Sequence, residues 1–456
     1  MSHTSFEFLS NSLLFDASLL REKYASVSNA EMKRILSDYR EYCTKNIAKI
    51  KAEISSDEGL LRCFGSGQLA SLESLKRTAL YVEQTVLSDP IFSLSNFSSE
   101  FEDALYEYAG LPYNRPVNKE VVASAVENVL ATRAMVVAGY LKYYPSTLYT
   151  DQHDVVLSNV DPRYNQEIPE SVLNIYRSKA QIRSVIHQDG KPLILPDLHR
   201  CQEIFIKFQG VEGGGGTVHK SMIQRVSSID RERNEVSSNI LISERLPTQT
   251  EFDDWVQKNL VMNATGHYKK LLEEISVAAD LNAVFSTQSP FTEKILKSSP
   301  TKERKGIEEN AIECVLKMQL PFMDKISAHD LMSIRQNDGE EFSNFRANLE
   351  GRLRDLRTES DPSIIREKIV DLEHELSVVQ IRALDMKVKS VRRVALADVG
   401  IATLGLAAGI ATSGWSLLGT LAATLQGVKS FSEYQDKVRE NPCYFLWKVH
   451  SKARHK

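Results

Sequence analysis

Cysteine is sparse in this 456-residue chain. Cys43, Cys63, Cys201, Cys314 and Cys443 are odd in number and scattered, and none stands in a CxxC pair. That excludes a disulfide framework and fits thiols kept reduced in a cytosol. Charge of one sign is lacking too: 56 Lys and Arg face 60 Asp and Glu, a formal net charge of −4. Nothing in that balance draws the chain to nucleic acid. The opening MSHTSFEFLSNSLLFDASLL has no basic flank, and Asp16 breaks its apolar part, so no secretory signal is expected. No HExxH, no GxSxG and no repeat of solenoid period occurs. What is present is ordinary globular composition, 42% hydrophobic and 25% charged. The length suits roughly two to four domains at about 100–200 residues each. A cytoplasmic protein is expected, at the inner face of the cytoplasmic membrane if it meets one.

Hydrophobic spacing divides the chain into four regions and predicts an α+β fold that is predominantly α. Region 1–75 reads as helical, with Asn29 capping a helix through Met32, Ile35, Leu36, Tyr39, Cys43 and Ile47. Region 76–248 reads as mixed α and β. Leu80–Leu87 is β-rich and stopped by Asp89-Pro90, and Val121–Val136 is helical up to Gly139. Tyr140–Tyr144 then reads as a strand, and Asp189-Gly190 as a hairpin turn. Ile204–Phe208 and Ile240–Ile242 are further strand candidates. Region 249–393 reads as nearly all helical, with Gly266 a break and a long helix over 362–393 opened by Asp361-Pro362. Ile365, Ile369, Leu372, Leu376, Val379, Ala383 and Met386 step by four and three, the seam of a coiled coil or of a bundle helix. A protein partner or a homo-oligomer is expected through it.

Region 394–456 is an apolar Gly/Ala-rich segment and a basic tail. From Val394 to Val428 the only ionisable side chain is Asp398. One straight helix of that length would be about 50 Å, against a hydrocarbon core of about 30 Å. The segment is therefore expected to be a hairpin turning at Thr412-Ser413-Gly414, with Trp415 opening the second arm. Gly405 and Gly409 form a GxxxG pair, and Gly414 and Gly419 add further places where backbones can approach. Arg392 and Arg393 precede the segment; Lys429, Lys437, Arg439, Lys448, Lys452 and Arg454 follow it. In a membrane hairpin both flanks lie on the cytoplasmic side. The segment has two readings, contact with a membrane or burial in a protein core.

The sharpest local motif is Gly213-Gly214-Gly215-Gly216-Thr-Val-His-Lys220-Ser221. It follows a strand and precedes Met222, Ile223, Val226 and Ile229, whose spacing predicts a helix. A glycine loop at a helix N-terminus presents N–H groups to phosphate. Against the pattern GxxxxGK[ST], Gly214, Lys220 and Ser221 fit, but His219 takes the place of the second glycine. The alternative is a surface loop. His187, His199 and Cys201 lack the paired spacing of a zinc site, and Asp151, His153, Asp154 and Asp161 read as a polar loop. The sequence names no cofactor and no reaction.

Leu80–Phe92, Ala138–Pro145, Pro321–Arg335 with Phe342–Arg346, and Asn441–Trp447 together resemble a loosely defined group of uncharacterised bacterial accessory proteins. The resemblance implies an α/β front, a helical back, an apolar segment near the end and a role in phage defence. It implies no catalytic residues. The expected function is thus a non-enzymatic effector or interaction protein acting through 394–428. The alternatives are a phosphate- or nucleotide-handling enzyme built on Gly213–Ser221 and a purely structural subunit.

Overall fold

In a computed structural model the residues described are 4–55, 60–65, 71–96, 117–148, 168–188, 191–211, 216–230, 235–242, 245–287, 289–298, 320–353, 362–382, 386, 439, 441 and 443–454. They build a mixed α and β protein in which helix predominates. The strands are β1 (Arg62–Gly65), β2 (Gln84–Ser88), β3 (Leu141–Tyr144), β4 (Ala180–Gln188), β5 (Lys191–Ile194), β6 (Glu203–Phe208), β7 (Thr217–Lys220), β8 (Met222–Asp230), β9 (Glu235–Ile242) and β10 (Val284–Ser286). The chain divides into two compact units, and this division runs differently from the four expected regions. Unit 1 takes 1–145, 281–286 and 305–456; unit 2 takes 146–280 and 287–304.

Unit 1 is organised on a four-stranded parallel sheet in the order β10-β1-β2-β3. β1, β2 and β3 are short and buried along nearly all their length, as parallel strands covered on both faces are, while the edge strand β10 is half-buried. Asp89-Pro90 ends β2 and starts a helix, because Asp89 Oδ1 accepts from Ile91 N and Phe92 N, both at 2.9 Å, with Pro90 in the first turn. Gly139, at φ +76°, stops the helix Arg133–Val137 and turns the chain into β3. The first long helix, Asn29–Lys45, is capped by Ser28 rather than Asn29: Ser28 Oγ accepts from Glu31 N at 3.1 Å. Asn29 Oδ1 instead accepts from Val117 N at 2.7 Å. Leu80–Glu83, expected to be extended, forms the turn before β2.

The region after Thr250 holds three departures from expectation. The helix Gln249–Asp280 runs 32 residues straight through Gly266 and is the longest among the described residues. β10 interrupts the helical region, its three residues too brief to leave a period in the sequence. The heptad seam holds at Ile369 and Leu376, 7% and 1% exposed, and then fails. Val379 and Met386 are 40% and 68% exposed, while Ile381 is 2% exposed. A π-helical turn over Glu375–Gln380 is the cause. Its extra residue per turn moves the inward position from 379 to 381.

Unit 2 is built on an antiparallel sheet, β5-β4-β6-β7, and a separate hairpin, β8-β9. β4 and β5 pair Gln188 with Lys191, leaving the two residues of the expected turn between them. In β6 the side chains of Ile204, Ile206 and Phe208 are buried, while Lys207 is exposed. The buried face meets the helices Glu170–Lys179, Gln249–Asp280 and Pro290–Ser298, which share the core residues Val172, Tyr176, Val256, Leu260 and Phe291.

Candidate functional site

The glycine motif does not open a helix. Thr217–Lys220 is β7, paired antiparallel with β6, and Met222–Asp230 is β8. The expectation of a helix after Ser221 is thereby corrected. Met222, Ile223, Val226 and Ile229 satisfy helical spacing, yet the chain hydrogen-bonds as a hairpin, so the helix N-terminus required by a Walker-type cradle is not there. Gly213, Gly214 and Gly215 lie outside the described residues. Gly216 has its own packing reason, since a Cβ there would fall 2.0 Å from the ring of Phe205. Strand alternation then separates His219 from Lys220. Lys220, opposite Glu203, pairs with its carboxylate at 3.0 Å, and His187 Nε2 holds the same carboxylate at 2.8 Å. Burial pushes Glu203 up, but these two partners outweigh it and hold the acid below its usual range. Lys220 is therefore already neutralised. Ser184 holds His199 through its backbone, and Cys201 donates to Glu203 O. Among the described residues no group of metal-ligating side chains is assembled.

His219, on the opposite face of the strand, turns to the helix Gln249–Asp280. Asn263 Nδ2 reaches His219 Nε2 at 2.6 Å and Asn259 O at 2.7 Å. One turn on, His267 Nδ1 is 2.5 Å from Tyr176 Oη. The rings of Phe208 and Phe291 meet Tyr176 edge-on at 5.0 and 5.2 Å. Burial holds His219 below its ordinary value and His267 at about 4, so both imidazoles are neutral at neutral pH. Between this helix and strands β6 and β7 lies a cleft of about 420 Å³, bordered by Val211, Thr217, Asn263, Gly266, His267 and Lys270. Sequence reading missed it. The signal available was polar Asn263, His267 and Lys270 at i, i+4 and i+7 on one helix face with a glycine between them.

In unit 1 the stretches 80–92, 138–145, 321–335 and 342–346 meet around one side chain. Arg335 is half-buried and donates to the carbonyls of Ala79, Val82 and Glu83, the last two at 2.9 and 3.2 Å. Its guanidinium lies 4.7 Å from the Tyr140 ring and 4.2 Å from that of Phe342. Burial lowers it to about 10, so it stays charged. Arg346 pairs with Glu83 at 2.5 Å, and Phe445 packs on Phe342 and Phe345. Lys76 Nζ donates to Met323 O, Asp324 O and Ile326 O at 2.6, 3.2 and 3.2 Å, closing the C-terminal end of the helix Pro321–Lys325.

No protein family, curated protein or solved structure matches this chain.

Val394, Asp398, Gly405, Gly409, Gly414, Trp415 and Gly419 lie outside the described residues, as do Asp151, His153, Asp154 and Asp161. Among the described residues no helix is long and apolar enough to cross a membrane. Beyond the apolar segment, Tyr444–Arg454 is a helix packed on Pro321–Lys325, Ala328–Asn337 and Gly339–Leu353. Lys448 holds the buried Asp338 through both oxygens, at 2.6 and 2.5 Å. Arg439 meets Glu341 at 2.7 Å, and Lys452 meets Asp330 at 3.9 Å. Three of the basic residues that follow the apolar segment thus have carboxylate partners in their own unit.

Proposed function

We propose that the chain is a non-enzymatic effector or interaction protein that acts through residues 394–428, at a membrane or within a protein assembly. The observation that carries this reading is the docking of Tyr444–Arg454 back onto unit 1, with Cys443, Phe445, Leu446 and Val449 buried completely. A segment of such low polarity followed by firmly packed chain fits a hairpin, which returns, better than a single span, which does not. The helical stretch from Pro362 offers Ile364, Val370, Val379 and Met386 as exposed apolar side chains, 37%, 55%, 40% and 68% accessible. These suit a protein partner or a second copy. A setting in bacterial phage defence rests on the sequence resemblance alone.

The test replaces 394–428 with a short Gly/Ser linker in the otherwise full chain. The expected variant keeps the circular dichroism and thermal unfolding of the parent but no longer floats with anionic liposomes or self-associates in sedimentation. A variant that floats and assembles as the parent does would overturn the reading. So would a parent that does neither.

A further inference from the structure

We propose that the cleft between the helix Gln249–Asp280 and strands β6 and β7 is a binding site for a small organic oxyanion, a phosphate or carboxylate carried on an apolar body. Three observations carry this. The volume of about 420 Å³ falls inside the range of about 300–1,000 Å³ usual for small-molecule sites. Among its bordering residues Lys270 supplies a charge and none is an acid, so any charge it takes is negative. Finally, its polar groups are aimed and unused.

The argument for aim begins at Tyr176. The phenol is buried, and burial raises it far above its ordinary value, so it keeps its proton. Its only hydrogen-bond partner among the described residues is His267 Nδ1. If it accepted there, its own O–H would be left buried without an acceptor, which costs about 1–3 kcal/mol; it therefore donates. A neutral imidazole that accepts at Nδ1 carries its proton on Nε2. That Nε2–H has no acceptor among the described residues. Lys270 stands one turn further along the same face, and Lys270 has no carboxylate partner among the described residues. Asn263 spends its amide hydrogens on His219 and Asn259 O, which leaves Oδ1 as an acceptor. Thr217, directly opposite Ile206 in the β6–β7 register, shares the helix-facing side of the sheet. Gly266 leaves the helix backbone bare, with nothing within 4 Å of where a Cβ would stand, and Phe208 and Met262 supply apolar wall. Donors converge beside an apolar surface, as a site for an anionic head and an apolar body requires.

An anion beside Nε2 favours imidazolium, so binding couples to protonation of His267. The titratable groups around that ring are Tyr176, Lys270 and, through Asn263, His219. The experiment uses the full chain labelled with ¹⁵N-histidine, titrated with inorganic phosphate and, separately, acetate at constant ionic strength. The expected result is a saturable shift of the His267 Nε2 resonance by tens of millimolar and a higher His267 titration midpoint in the bound form. A response to phosphate alone assigns a phosphoryl ligand; a response to acetate assigns a carboxylate. Lys270→Ala, at an exposed position, should weaken binding about tenfold. Lys220→Ala, on the other face of the sheet, should leave it unchanged. No shift with either anion would overturn the proposal, as would an affinity unchanged in Lys270→Ala or a response lost in Lys220→Ala.

Discussion

Arg335 shows how much of unit 1 hangs on single side chains. Its guanidinium satisfies three carbonyls of the turn before β2 while lying against two aromatic rings. Arg335→Ala leaves those carbonyls without their donor, and the expected loss is at least about 3 kcal/mol in chemical denaturation. Arg335→Lys should recover less than half of it, because an ammonium is neither flat nor forked. A fully stable Arg335→Ala protein would contradict this account. His267 makes a prediction about pH. Its folded value of about 4 lies below its free value of 6.5, so between the two the unfolded chain binds more protons. The stability it contributes is complete above pH 6.5 and is lost as pH falls towards 4. The slope reaches at most about 1.4 kcal/mol per pH unit. Urea denaturation at stepped pH should show that slope, and His267→Gln should flatten it.

The helix Tyr444–Arg454 is held by an asymmetric ion pair. Asp338 is 2% exposed and the Lys448 side chain 37%. Lys448→Met strands a carboxylate that cannot reach water, whereas Asp338→Asn leaves an ammonium that can swing outward. Lys448→Met should therefore destabilise the more, by roughly 2 kcal/mol against 1 or less. Equal costs would mean the pair is solvated. Gly266→Ala should stabilise its long helix by about 0.5–1 kcal/mol, given open space at the Cβ, while crowding the cleft. Thermal unfolding and phosphate titration of one variant separate the two effects. Elements of this kind were partly legible in the sequence. β3, β6, the β4–β5 turn and the helix ended by Gly139 follow from alternation, spacing and one positive φ. β10 did not, since three residues carry no period. Residues 222–229 misled because Met222, Ile223, Val226 and Ile229 fit one helix face while pairing as a strand. The π-helical turn has no local signature. The cleft was illegible because the residues that meet across it, such as His219 and Asn263, are 44 positions apart in sequence, and register alone turns His219 towards it and Lys220 away.

At the scale of the molecule, two units with separate cores predict two unfolding events. Lys448→Met should move one calorimetric transition and His267→Gln at low pH the other; a single transition shifted by both would show that the units unfold as one. Unit 1 is itself interrupted. Its sheet draws β1, β2 and β3 from the first 145 residues, but β10 arrives only after most of unit 2 has been made. During synthesis β1 is thus a raw edge, its outward N–H and C=O groups open to any passing strand. A message that stops before Ser286 yields a chain with that edge exposed, prone to clump or be degraded. The edge closes only once β10 has left the ribosome and paired with β1.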